Sequence, residues 1–153
     1  MFSGEDKQLR NIAHESAHRT RAARKVISLY QTKRILIVDD DSDIALTFKK
    51  TFEEENRNSN NKIAFQVNTY NNPLQALLSE FNPDFYDIML IDIHMPVMNG
   101  IEFVKNLDLD ANPRICFMSS GPINQEALRE QYPSFRIGFF ISKPVTIENL
   151  VET

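Results

Sequence analysis

Apolar residues in this chain fall in short, dense runs, and each run stops abruptly at a polar residue. The clearest is Ile35-Leu36-Ile37-Val38, preceded by Arg34 and ended by Asp39-Asp40-Asp41. A continuous run of this length predicts a parallel strand covered on both faces, because a half-exposed strand would alternate. Asp41 and Ser42 are placed to cap the helix that follows, whose apolar positions include Ile44, Ala45, Phe48 and Phe52. That helix is expected to end in the polar stretch that begins with three glutamates at 53–55 and runs into the Asn-rich residues 56–61.

Phe65, Val67 and Thr69 alternate with polar neighbours, which predicts a second, edge strand. Pro73 fits the first turn of a short helix reaching Phe81, with Asn72 before it as the cap. Ile88-Met89-Leu90-Ile91 repeats the buried-strand pattern and ends in Asp92. A turn, Met95-Pro96-Val97-Met98-Asn99-Gly100, leads into a helix expected over 101–107. Ile115-Cys116-Phe117-Met118 is a fourth strand ending at Ser119-Ser120-Gly121, followed by a helix over about 124–131. Gly138-Phe139-Phe140-Ile141 is a fifth strand, ending at Ser142-Lys143-Pro144, and Thr146 is placed to cap a last helix. Strands alternating with helices imply right-handed crossovers and an α/β fold, a parallel sheet with helices on both faces.

Composition narrows the setting. With 153 residues, 42% hydrophobic and 25% charged, the chain suits one ordinary domain. No apolar run approaches the roughly 18 residues of a membrane span, so no membrane partner is expected. One cysteine, Cys116, excludes an internal disulfide framework and suits a cytoplasmic location. Charge is uneven: residues 1–34 carry a net of +5 and residues 35–153 a net of −9. The expected organisation is therefore a basic leader over 1–32, helical or disordered, and a domain over 33–153. His14 and His18 lie four apart in the leader, with no accompanying acids to suggest a metal site.

In parallel sheets, sites form outside the carboxyl ends of the strands. Here those ends carry Asp39 and Asp40, Asp92, Ser119 and Lys143. Singly, each has an ordinary reading: the aspartates as a capping cluster or strand end, the serine as a strand terminator. Together they imply a cost, since two carboxylates about 5 Å apart repel by roughly 3 kcal/mol at an effective dielectric near 20. A third carboxylate would call for a proton or a cation, and an all-oxygen set favours a hard ion such as Mg²⁺ over zinc. With the acids neutralised, Asp92 could act as a nucleophile toward a group rich in negative oxygens. Lys143 and Ser119 would supply charge and a hydrogen bond, and phosphoryl transfer is the reaction that needs little else.

The motifs at these strand ends resemble the receiver domains of two-component response regulators. They are Ile-Leu-Ile-Val-Asp39-Asp40, Leu-Ile-Asp92-Ile-His-Met-Pro-Val-Met-Asn-Gly, Phe-Met-Ser119-Ser and Phe140-Ile-Ser-Lys143-Pro144, in order over about 33–153. The resemblance implies a flavodoxin-like, doubly wound five-stranded parallel sheet in the order 2-1-3-4-5. It implies that Asp92 is the phosphoacceptor, and that Asp39, Asp40, Asp92 and the backbone carbonyl of His94 bind Mg²⁺. Ser119 is similar to the family's switch serine or threonine, Phe140 to its switch aromatic, and Lys143 to its site lysine, whose bond to Pro144 is commonly cis.

The function implied is a stand-alone phosphorelay receiver, taking its phosphoryl group from a histidine kinase or phosphotransfer protein and controlling an unidentified downstream protein. It would catalyse its own transfer and hydrolysis without being a turnover enzyme. A dehalogenase-type phosphatase fits less well, because it wants a second aspartate where His94 stands. The remaining readings are a non-phosphorylated interaction module with the same fold, and a nucleic-acid-associated regulator using Arg19, Arg21, Arg24 and Lys25 of the leader. Three features depart from the family pattern: the leader, a short helix after Gly100 curtailed by Asp108, Asp110 and Pro113, and a last helix that has only residues 146–153 to occupy.

Overall fold

A computed structural model describes residues 31–58, 63–79 and 82–144. Residues 1–30 of the leader and the last helix expected from Thr146 lie outside the described residues, as does Phe81, whereas Gln31 and Thr32, expected in the leader, begin the first strand. The described elements of the unit that spans 32–59 and 65 onward build one sheet with its helices. In chain order they are β1 (Gln31–Val38), α1 (Ser42–Asn58), β2 (Ile63–Tyr70), α2 (Pro73–Leu78), a 3₁₀ turn (Pro83–Phe85), β3 (Ile88–Asp92), α3 (Gly100–Lys105), β4 (Arg114–Ser119), α4 (Gln125–Gln131) and β5 (Ile137–Ser142). The strand order is β2-β1-β3-β4-β5, as the resemblance implies, and β1, β3, β4 and β5 pair in parallel. No helix among the described residues is long and apolar enough to cross a membrane.

The dense apolar runs feed two cores. Leu36, Val38, Met89, Ile91, Ile115 and Phe117 face one side of the sheet, where Ala76, Phe103 and Val104 of α2 and α3 cover them. Ile35, Ile37, Leu90, Cys116 and Met118 face the other, against Ala45 and Phe48 of α1. Successive strand residues point to opposite faces, so two apolar cores require an unbroken apolar run. Cys116 is fully buried, a small hydrophobe of the second core.

Element ends follow side-chain capping. Asn72 accepts from Leu74 N–H to start α2, and Asn124 from Ala127 N–H to start α4. Asn99 and Glu102 form a reciprocal capping box at α3. The 3₁₀ turn, unanticipated from sequence, is capped by Asn82, which accepts from Asp84 N–H. α3 stops at Lys105, shorter than the stretch expected, and α2 stops at Leu78, where the Ser79 hydroxyl bonds the Ala76 carbonyl.

One expectation is corrected. The three glutamates do not end α1, which runs through them to Asn58. Glutamate is a good helix former, and the last turns are tied to β2. Phe52 packs on Phe65 with ring centroids 5.1 Å apart, and the Asn56 amide exchanges two hydrogen bonds with the Phe65 backbone, at 2.7 and 2.8 Å.

β5 carries an irregularity that matters for the site. Ile115 pairs with Ile137 and Phe117 with Phe140, so β5 has one residue more than β4 between the two pairs. Without it, Ile137, Phe139 and Ile141 would share a face. With it, Phe140 joins the first core beside Phe117, while Phe139 and Ile141 join the second.

Candidate functional site

The carboxyl ends of β1, β3, β4 and β5 bring Asp39, Asp92, Ser119 and Lys143 to one rim. Asp39, Asp92 and Ser119 are the polar residues buried among the core side chains, at 0%, 3% and 1% exposure. Asp40, next along the chain, is exposed, yet its carboxylate reaches the same point: one oxygen each of Asp39, Asp40 and Asp92 lie within 4.8 Å of one another. β1 and β3 are neighbours because the chain crosses over β1 to lay β3 beside it, and this adjacency lets two strand-end acids share a basin.

Lys143 arrives from β5, two strands away from β3. Its backbone N–H bonds the Ser119 carbonyl at 2.8 Å, extending the β4–β5 ladder past the end of β5. The peptide bond to Pro144 is cis, as the resemblance implies. The Lys143 ammonium then stands 2.7 Å from Asp39 Oδ2 and 3.2 Å from Asp92 Oδ1. Burial by itself would lower the Lys143 pKa, but the contact with Asp39 and the charge of Asp92 outweigh it and raise it above the usual lysine value. Asp92 is pushed above the usual carboxylate range, by burial first, with the Asp39 charge adding and Lys143 opposing.

The acids fit a hard cation. Asp39 Oδ1 accepts from Asp41 N–H at 3.0 Å, but Oδ2 is enclosed and, despite the nearby ammonium, receives no well-directed hydrogen bond. Three carboxylates, one of them incompletely satisfied, form an all-oxygen donor set of the kind that Mg²⁺ or Ca²⁺ takes. Asp41 is separate from this set: its Oδ1 accepts from Asp43 and Ile44 N–H at 2.9 and 3.3 Å, capping α1. The His94 side chain is exposed in the loop after β3.

Ser119 and Phe140 flank the acids on the β4–β5 side. The Ser119 hydroxyl is engaged with Gly121, accepting from its N–H at 3.1 Å and donating to its carbonyl at 3.2 Å. Phe140, partly buried, packs on Phe117 with centroids 6.1 Å apart. Two residues here escape sequence reasoning. Arg129 of α4 donates to the Ile137 and Gly138 carbonyls at 2.6 and 2.7 Å and stacks its guanidinium 5.3 Å from the Phe140 ring centroid. Nothing in the sequence flags it, because its partners are backbone carbonyls at the irregular point of β5. Gly100 abuts the end of β3: a Cβ there would collide with the Asp92 carbonyl oxygen. The Asn99-Gly100 pair after the turn was the available signal.

Comparison with known proteins agrees with this geometry. The response regulator receiver domain family matches over residues 35–153. The chain is 28% identical over 120 residues to the response regulator receiver protein CpdR of Brucella abortus, covering 78% of this chain and 91% of that one. It is 31% identical over 87 residues to the transcriptional regulatory protein CpxR homolog of Haemophilus influenzae, covering 57% of this chain but 34% of that longer protein. Among solved structures, a CheY-like receiver domain protein from Methanospirillum hungatei superposes with a TM-score of 0.62 at 25% identity, over 80% of this chain and 90% of that one. With motifs, sheet order and a shared acidic basin in agreement, the chain belongs to the response regulator receiver domain family.

Proposed function

We propose that this receiver takes a phosphoryl group on Asp92 from a histidine kinase or phosphotransfer protein and switches conformation to control a downstream protein. The observation that carries this reading is the meeting of three carboxylates within 4.8 Å with an ammonium that touches two of them. A Mg²⁺ ion, held by Asp39, Asp40, Asp92 and the His94 backbone carbonyl, would neutralise the acids and the negative phosphoryl oxygens.

In the transfer, an Asp92 carboxylate oxygen forms a bond to phosphorus as the bond to the donor nitrogen or oxygen breaks, and the donor leaves with that electron pair. Lys143 pairs with a phosphoryl oxygen in place of one of its present carboxylate partners. The Ser119 hydroxyl gives up Gly121 to donate to another. Phe140 then repacks beside Phe117, carrying the change to the β4–β5 face. Such a domain is a phosphoacceptor signalling module rather than a turnover enzyme. Every group invoked lies within residues 39–143, which leaves the leader that precedes β1 for partner choice.

Incubation with acetyl phosphate and Mg²⁺, read by intact mass and phosphate-affinity gels, tests the proposal. One phosphoryl group is expected on the wild type and none on a folded Asp92→Ala variant. Equal labelling of both would move the acceptor elsewhere. A folded wild type that takes no phosphoryl from any donor would instead make the domain a non-phosphorylated interaction module.

A further inference from the structure

The opposite rim of the sheet, where the strands begin, carries a polar cavity open to solvent that the receiver chemistry does not use. It has a volume of about 290 Å³ and is lined by Lys33, Asp87, Ile88, Arg114 and Arg136. These residues enter β1, β3, β4 and β5, and the backbone joins their starts in a row: Asp87 N–H to the Arg34 carbonyl, Arg114 N–H to the Asp87 carbonyl, Ile115 N–H to the Arg136 carbonyl. Three cationic residues, with Arg114 and Arg136 exposed to solvent, thus line one cavity on an otherwise acidic body. None of the three makes a salt bridge or side-chain hydrogen bond among the described residues.

The cavity is shaped as well as charged. A Cβ on Gly138 would fall 2.6 Å from Arg114 Cγ and 2.8 Å from its Cδ, so only glycine leaves room for the arginine stem to lie along β5. Asp87 commits one oxygen, Oδ2, to Arg34 N–H at 2.8 Å, leaving Oδ1 as an acceptor in the wall. Two guanidinium forks and an ammonium suit a compact tetrahedral oxyanion, and the volume is at the small end for ligand sites. The remaining Asp87 oxygen favours an oxyanion that carries a proton to donate.

We propose that this amino-end cavity binds a protonated phosphate-type oxyanion, with Lys33, Arg114 and Arg136 supplying charge and Asp87 accepting the anion's proton. Hydrogen phosphate has that proton at neutral pH; sulfate, alike in size and charge, does not. The site is independent of Asp92.

The test is titration of the full chain with inorganic phosphate, and separately with sulfate, followed by amide chemical shifts. Saturable shifts are expected at Ile88, Ile115 and Ile137, with phosphate binding more tightly than sulfate. Arg114→Gln and Arg136→Gln should each weaken phosphate by about tenfold, the loss of one charge-assisted contact. Gly138→Ala should weaken it by displacing Arg114 while leaving every charge in place. Absence of saturable shifts at this rim, or undiminished affinity in both arginine variants, would overturn the proposal. Equal affinity for sulfate would remove the role given to Asp87.

Discussion

Lys143 Nζ lies 2.7 Å from Asp39 Oδ2, joining the end of β5 to the end of β1 across the two strands between them. With Asp92 Oδ1 at 3.2 Å from the same ammonium, one cation offsets part of the repulsion among three acids. The site is held together by a charge that a phosphoryl group would have to share.

At neutral pH the Asp92 carboxylate weighs against folding. Asp92 is raised above its ordinary value, chiefly by burial, so the folded state holds that proton more tightly than the unfolded chain. Its contribution is favourable below the ordinary carboxylate range and is lost as pH rises through the folded pKa. Asp92→Asn should therefore raise the melting temperature at pH 7. The gain should shrink toward pH 4. An unchanged or lower melting temperature at pH 7 would contradict it. Lys143, raised by its acids, should contribute until pH rises above the ordinary lysine range and lose that contribution there.

Neighbouring acids on β1 should separate cleanly. Asp40 belongs to the carboxylate cluster, whereas Asp41 caps α1. In Mg²⁺ titrations Asp40→Ala should lose most of the affinity and Asp41→Ala little. Denaturant melts should rank them the other way, with Asp41→Ala costing about 1 kcal/mol for the lost cap. Greater metal loss in Asp41→Ala would reassign the ligand.

Arg129 should govern the mobility of β5. Its fork takes the two carbonyls at the irregular point of the strand and stacks on Phe140. Arg129→Ala should cost about 1 kcal/mol, given that the residue is exposed, and should speed hydrogen exchange in β5 selectively. Arg129→Lys should not restore protection, because one ammonium cannot bond both carbonyls and stack. Uniform exchange changes across the sheet would point to general destabilisation instead.

Gly100→Ala should be severe. The new methyl would meet the Asp92 carbonyl oxygen at 2.2 Å and Ile91 Cγ2 at 2.9 Å, and the nearer obstacle is backbone that cannot rotate away. A loss of about 3 kcal/mol is expected, with slower labelling of Asp92 in whatever fraction folds. Wild-type stability and labelling rate together would show that α3 can move off β3 without consequence.

Much of this was legible in the sequence, for identifiable reasons. An apolar run with no alternation has one stable use, a strand covered on both faces, so Ile35–Val38 and Ile88–Ile91 announce themselves. Asn72 and Asp41 mark helix starts because capping is a local interaction within a few residues. Asp39, Asp40, Asp92 and Lys143 are visible because each stands where such a run stops. What the sequence could not express was anything set by one element meeting another. The length of α1 depended on Asn56 and Phe52 finding Phe65, and the facing of Phe140 on a single extra residue in β5 that no local pattern marks. The Arg129 fork and the cation row at the amino-end rim arise because parallel pairing places residues far apart in the chain about 4.8 Å from one another, and that adjacency belongs to the sheet, not to the sequence.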